Sequence, residues 1–141
     1  MAPIERTATG TWNGDLRSGN GLIDSTSGVL QSTPFTFATR FENAKGTNPE
    51  ELIAAAHAAC FSMALANYLS TQGHTADQIS TSATITLDNG SINKMHLVTK
   101  GSVPGLGEAE FARLADEAEK QCPVSNLLRP GLTITLDASL M

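Results

Sequence analysis

Aromatic residues are scarce in this 141-residue chain: they make up 5%, with one Trp and one Tyr. That excludes the rows of stacking side chains with which single-stranded nucleic acids are gripped. Basic residues are also few. Nine Lys and Arg stand against fourteen Asp and Glu, for a net charge of −5. They are scattered, so a phosphate backbone meets no basic stripe. Cysteine occurs only at Cys60 and Cys122, too few for the disulfide scaffold of a small secreted protein. The start, Met1-Ala2-Pro3-Ile4-Glu5-Arg6, lacks the charged-then-apolar order of a signal peptide. No apolar run approaches the length that spans a bilayer. The expectation is a cytoplasmic protein with no nucleic-acid and no membrane partner. In a reducing cytosol its separated cysteines are reactive or merely buried.

What is present suits a globular core: 40% hydrophobic residues in a length that predicts one domain, residues 1–141. The first forty residues read as strands with Gly-rich turns. Thr7 to Trp12 is β-prone, Gly21-Leu22-Ile23-Asp24 and Val29-Leu30 continue, and Phe35 to Arg40 alternates apolar with polar as a half-buried strand does. Asn48 as N-cap, Pro49 at N1 and Glu50-Glu51 in the first turn open a helix that runs to about Gln72 and stops at Gly73. From Leu52 to Ala66 this helix is almost wholly apolar, which predicts burial all round. Ala83, Ile85 and Leu87 then alternate, Asn89-Gly90 signals a hairpin, and Ile92 to Lys100 is the return strand. An amphipathic helix spans Glu108 to Gln121, a short helix follows from Pro123, and Leu132, Ile134 and Leu136 mark a last strand. The order β-β-β-α-β-β-α-β predicts an α+β fold with mainly antiparallel pairing. One sheet covers one face of a helix that is apolar all round. Two copies of the chain, helix against helix, supply the other layer, so a tight homodimer is expected; a monomer with the second helix as the cover is the alternative.

Taken by residue type, Cys60 reads first as a small core residue whose thiol burial leaves inert. Cys122 precedes Pro123 and caps the short helix, where free N–H groups and the dipole favour a thiolate. Arg40 at a strand end and Glu50 in a helix's first turn have ordinary solvated readings. His57 shares a helix face with Cys60 at i and i+3, the pairing of a hydrolase nucleophile. His74 and His96 are isolated. No spacing fits a zinc signature.

The stretch Thr39-Arg40-Phe41-Glu42-Asn43-Ala44-Lys45-Gly46-Thr47-Asn48-Pro49-Glu50-Glu51-Leu52, continuing through Ala58-Ala59-Cys60-Phe61-Ser62-Met63-Ala64-Leu65, resembles the signature of the OsmC/Ohr family of osmotically inducible and organic hydroperoxide resistance proteins. Gln121-Cys122-Pro123-Val124-Ser125 resembles that family's second cysteine motif, and the likeness runs from Trp12-Asn13-Gly14-Asp15 to Ile134-Thr135-Leu136-Asp137. An arginine just before the central helix, here Arg40, resembles the osmotically inducible branch; Arg17 falls where the other branch carries its arginine.

The resemblance implies antiparallel sheets wrapped around two buried central helices in an intertwined homodimer. It implies a cofactor-free, metal-free thiol peroxidase acting on organic hydroperoxides. Cys60 is then the peroxidatic cysteine, Cys122 the resolving one, and Glu50 the partner of Arg40, with a dithiol, possibly on a lipoylated protein, as reductant. The rivals are a Cys60–His57 acyl hydrolase and a non-catalytic stress protein. Helix arithmetic adds a constraint. Glu50 and Cys60 are ten residues apart, about 15 Å along one helix axis. The expectation is therefore a composite site, with Cys60 and Cys122 from one chain and Glu50 with Arg40 from its partner.

Overall fold

The computed structural model describes all residues, Met1–Met141, as two compact units, Met1–Leu52 and Ile53–Met141. In the first, β1 (Ala8–Asn13), β2 (Asn20–Ser25) and β3 (Thr33–Phe35) form an antiparallel sheet in that order. The Trp12 and Phe35 rings lie 5.4 Å apart at their centroids. Gly21 makes this possible, because a Cβ there would sit 2.5 Å from the Phe35 ring and 2.8 Å from Trp12.

The alternation at Phe35 to Arg40 does not extend the strand. Phe37–Phe41 is a helical turn, α1. Two local forces outweigh the pattern. The Thr36 hydroxyl accepts the Thr39 N–H at 3.2 Å while the Thr39 hydroxyl accepts the Thr36 N–H at 2.9 Å, a reciprocal cap. Phe37 and Phe41 then meet at i and i+4, centroids 4.9 Å apart. Helix α2 (Pro49–Thr71) starts as expected: the Asn48 side chain accepts the Glu51 N–H at 2.8 Å. It ends with Gly73 N–H on Ser70 C=O and His74 N–H on Leu69 C=O, which satisfies two of the last carbonyls.

In the second unit, β4 (Gln78–Asp88) and β5 (Ser91–Ser102) form the expected hairpin, with Asn89 and Gly90 both at positive φ as the two-residue turn requires. Helices α3 (Glu108–Glu119) and α4 (Pro123–Leu128) follow. They are the crossover that lets β6 (Thr133–Leu140) run parallel to β5, an exception to the mainly antiparallel expectation. Met95, Leu97, Phe111, Leu114, Ala115 and Ala118 form the core together with Phe61, Leu65 and Leu69 of α2. Each fully buried Leu or Phe contributes about 1.5–3 kcal/mol.

Within one chain, α2 is not buried all round. Ala54, His57, Phe61, Leu65 and Leu69 face inward at helical spacing, whereas Ala55, Ala56, Ala59, Met63 and Ala66 are exposed, Met63 at 74%. Composition alone hid this, because apolar residues occupy both faces. The helix is also long and apolar enough to cross a membrane by length and composition, with a mean hydropathy of 1.5 and 22% of that window buried in the chain. This corrects the expectation that no segment reaches such a length: His57, Ser62 and Asn67 interrupt the run without lowering its average much.

Candidate active site

Two clusters hold the candidate residues, one in each unit. In the first unit, Arg40 at the end of α1 and Glu50 in the first turn of α2 form a forked ion pair. Arg40 Nη2 donates to Glu50 Oε1 at 2.7 Å, and Arg40 Nε donates to Oε1 at 2.9 Å and Oε2 at 3.3 Å. The Glu50 side chain is 9% exposed and that of Arg40 36%, so the carboxylate is the buried partner and the guanidinium its edge toward solvent. The pair leaves Arg40 Nη1 unused. Arg17 takes no part in it; its guanidinium carbon lies 4.8 Å above the centre of the Phe37 ring. Trp12, Leu16, Phe35, Phe37 and Phe41 line, with Arg40, a pocket of about 390 Å³. The chain's few aromatics are concentrated here beside one cation.

The second unit holds the sulfurs. Cys60, mid-way along α2, is half-buried; Cys122, at the N-cap of α4, is fully buried. Their sulfurs lie 3.4 Å apart, with the Cys122 thiol donating to Cys60. Both are free cysteines, in contact but well beyond a disulfide bond length of about 2.05 Å. Burial pushes the Cys60 thiol above its ordinary value; the Val124 N–H opposes this by bonding the sulfur, and the Cys122 contact adds to the rise. Cys122 makes no side-chain cap bond at the start of α4. A pocket of about 390 Å³ opens on Cys60 between Met63, Ala64, Asn67, Gln121 and Pro123. Met63, Ala64 and Pro123 give it an apolar wall while Asn67 and Gln121 add two amides, so it is less uniformly apolar than the Ala, Phe and Leu neighbours of Cys60 predict; Phe61 and Leu65 point into the core instead.

His57 is fully buried and bonds Ser125, not Cys60. Its Nε2 lies 2.7 Å from the Ser125 hydroxyl, and its Nδ1 is buried without a partner. Burial holds the imidazole below its ordinary value, opposed by the Glu119 carboxylate and reinforced by the Arg129 guanidinium. Ser125 stands in the second cysteine motif, but the sequence assigns its hydroxyl no role. The only signal was symmetric spacing, with His57 three residues before Cys60 and Ser125 three after Cys122. His96 is not isolated: on β5 its ring meets the Thr135 hydroxyl at 2.5 Å and Asp137 at 3.2 Å. His74 is half-buried in the loop after α2.

A family model for OsmC-like proteins matches residues 42–137, which include both cysteines and Glu50. The chain belongs to the OsmC family. It is 43% identical to the peroxiredoxin OsmC of Escherichia coli (strain K12) over 135 residues, covering 93% of this chain and 94% of that one. It is 33% identical over 141 residues to an organic hydroperoxide resistance protein of Xanthomonas axonopodis pv. citri, covering 92% and 89%. The fold matches the crystal structure of the organic hydroperoxide resistance protein OhrB of Bacillus subtilis with a TM-score of 0.69 at 29% identity, covering 94% of this chain and 98% of the other. The mixed α+β architecture, two sheets and four helices, is thus a family property. The higher identity to OsmC agrees with an arginine placed just before the central helix.

Proposed function

We propose that this OsmC-family chain is a two-cysteine thiol peroxidase that reduces organic hydroperoxides to alcohols. The contact of two free sulfurs, 3.4 Å apart although sixty-two residues separate them in sequence, carries this reading. The Cys60 thiolate attacks the distal oxygen of ROOH; the O–O bond breaks, ROH leaves after taking up a proton, and Cys60 becomes a sulfenic acid. The Cys122 thiol then attacks the Cys60 sulfur, an S–S bond forms, and water leaves. An external dithiol, such as a dihydrolipoyl group, reduces the disulfide and is itself oxidised to a disulfide. Early resolution protects Cys60, because the sulfenic acid is consumed before more peroxide carries it to the irreversible sulfinic acid.

Burial alone works against a Cys60 thiolate, so the mechanism needs a cation. Arg40, held in register by Glu50 and with Nη1 outside that pair, is suited to stabilise the thiolate and the leaving alkoxide. The exposed stripe Ala55, Ala59, Met63 and Ala66 on α2 supports a homodimer in which each helix packs on its twin. In that assembly Arg40 and Glu50 come from the partner of the chain that supplies Cys60 and Cys122. A cytoplasmic setting, where thiols are kept reduced, suits the cycle. The acyl-hydrolase alternative has no comparable support, since Ser125 occupies His57 Nε2.

Specificity constants for cumene hydroperoxide and hydrogen peroxide test the substrate class. Burying even two methylene-sized groups contributes about 1.6 kcal/mol, so the organic peroxide is expected to be favoured at least about tenfold. Equal constants, or a preference for hydrogen peroxide, would remove the apolar-substrate reading.

A further inference from the structure

Helices α2 and α4 carry one cysteine each and are joined at two points. One is the contact of Cys60 with Cys122. The other, a helical turn away, is the bond between His57 and Ser125, 2.7 Å long and formed by two side chains with no exposed surface. The spacing is mirrored: His57 precedes Cys60 by three residues on α2, and Ser125 follows Cys122 by three on α4. A helix of six residues has few contacts of its own to fix its position. A buried hydrogen bond is directional, unlike apolar packing, and it holds even a short helix in one register.

We infer that His57 and Ser125 form a positioning pair, which sets α4 on α2 so that the Cys122 sulfur stays in contact with Cys60 and the second, disulfide-forming step outruns further oxidation. This rests on the two-cysteine reading above. The pair touches neither peroxide nor sulfur. It acts through the position of α4.

Two further observations support it. The far end of α4 is fixed independently: Arg129 Nη1 donates to Glu119 Oε1 at 2.7 Å, and Asn126 Nδ2 donates to the Lys120 carbonyl at 3.0 Å. These bonds close the α3–α4 connection on itself and leave His57–Ser125 as the polar link from α4 to α2. His57 Nδ1, moreover, is buried with no partner. A buried unsatisfied nitrogen costs about 1–3 kcal/mol, a cost that an apolar residue at this position avoids. Burial also favours the neutral ring, which can both accept and donate and so suits a hydroxyl partner.

The test measures how strongly the protein favours its own disulfide, with no peroxide present. Wild type, Ser125→Ala and Ser125→Thr are equilibrated with graded ratios of reduced and oxidised dithiothreitol, and the remaining thiols are trapped and counted. The effective concentration of Cys122 toward Cys60 is expected to fall about tenfold in Ser125→Ala, the ratio given by the net loss of one hydrogen bond. Ser125→Thr keeps the hydroxyl and should stay within about twofold of wild type. Mixed with excess cumene hydroperoxide and no reductant, Ser125→Ala should consume the first equivalent at the wild-type rate but lose more Cys60 to sulfinic acid through a second equivalent. The double variant His57→Leu/Ser125→Ala leaves no unpaired polar group. It should fold and show the same tenfold loss, which keeps the test open if Ser125→Ala alone is unstable. Unchanged effective concentration in the folded variants would overturn the inference, and so would an equal slowing of both steps, the mark of general distortion. If the dithiothreitol equilibria shift as expected while wild type consumes no peroxide, the peroxidase reading fails and the positioning pair stands. If wild type forms no disulfide at all, both fall.

Discussion

Cys60→Ser should reduce peroxide consumption to the buffer background, whereas Cys122→Ser should consume about one equivalent without recycling, and a second only as Cys60 over-oxidises. The difference follows from the unequal settings of the two sulfurs. Cys60 is half-buried and opens on a pocket of about 390 Å³. Cys122 has no exposed surface, so peroxide reaches Cys60 first. A serine hydroxyl at Cys60 supplies no thiolate, and the first step is lost. A serine at Cys122 leaves that step intact and removes the only sulfur in contact with the sulfenic acid. Further peroxide then drives Cys60 to the sulfinic acid. Mass spectrometry of Cys122→Ser after excess cumene hydroperoxide should find Cys60 carrying two added oxygens. Single-turnover consumption that survives in Cys60→Ser and vanishes in Cys122→Ser would exchange the two roles.

The second large effect concerns the assembly. Helix α2 is continuous from Pro49 to Thr71, so Glu50 and Cys60 are separated along it by about 15 Å. Glu50 is already committed to Arg40, with three donor–acceptor contacts. One guanidinium cannot lie on that carboxylate and on a sulfur of the same helix across such a span. Two copies of α2 packed antiparallel through the Ala55, Ala59 and Met63 face bring the start of one helix toward the middle of the other. The proposed composite site makes a quantitative prediction for a linked heterodimer of a Cys60→Ser subunit with a Glu50→Ala subunit. Both lesions fall in one site and the other site is whole, so about half the activity per dimer should remain. Sites built within single chains would each carry one lesion, and activity would fall to that of the single variants.

Much of this was legible in local sequence. Asn48-Pro49 and Asn89-Gly90 specify their helix start and hairpin through backbone chemistry that neighbours do not alter. The alternation from Gln78 to Asp88 records a half-buried face directly. The failures have physical causes. Phe35 to Arg40 shows strand periodicity, but the Thr36–Thr39 reciprocal cap and the Phe37–Phe41 contact favour a turn of helix. The parallel β5–β6 pairing depends on the α3–α4 crossover, a tertiary property that no strand pattern carries. Which face of α2 packs within the chain was not legible, because alanine suits a core and an interface equally. Within the site, the cysteines and the Arg40–Glu50 pair were found through resemblance to long motifs. The Ser125 hydroxyl meets His57 across sixty-eight residues of sequence, a contact that becomes visible only once α4 is placed on α2.

The most direct measurement of the central claim is a thiol count during titration of the fully reduced protein with cumene hydroperoxide. Two thiols per chain are present at the start. A two-cysteine peroxidase should lose both with the first equivalent, yield one equivalent of alcohol, and give a Cys60–Cys122 disulfide on peptide mapping. Dithiothreitol should restore both thiols. Loss of a single thiol per equivalent, a disulfide between chains, or two thiols that persist through excess peroxide would contradict it.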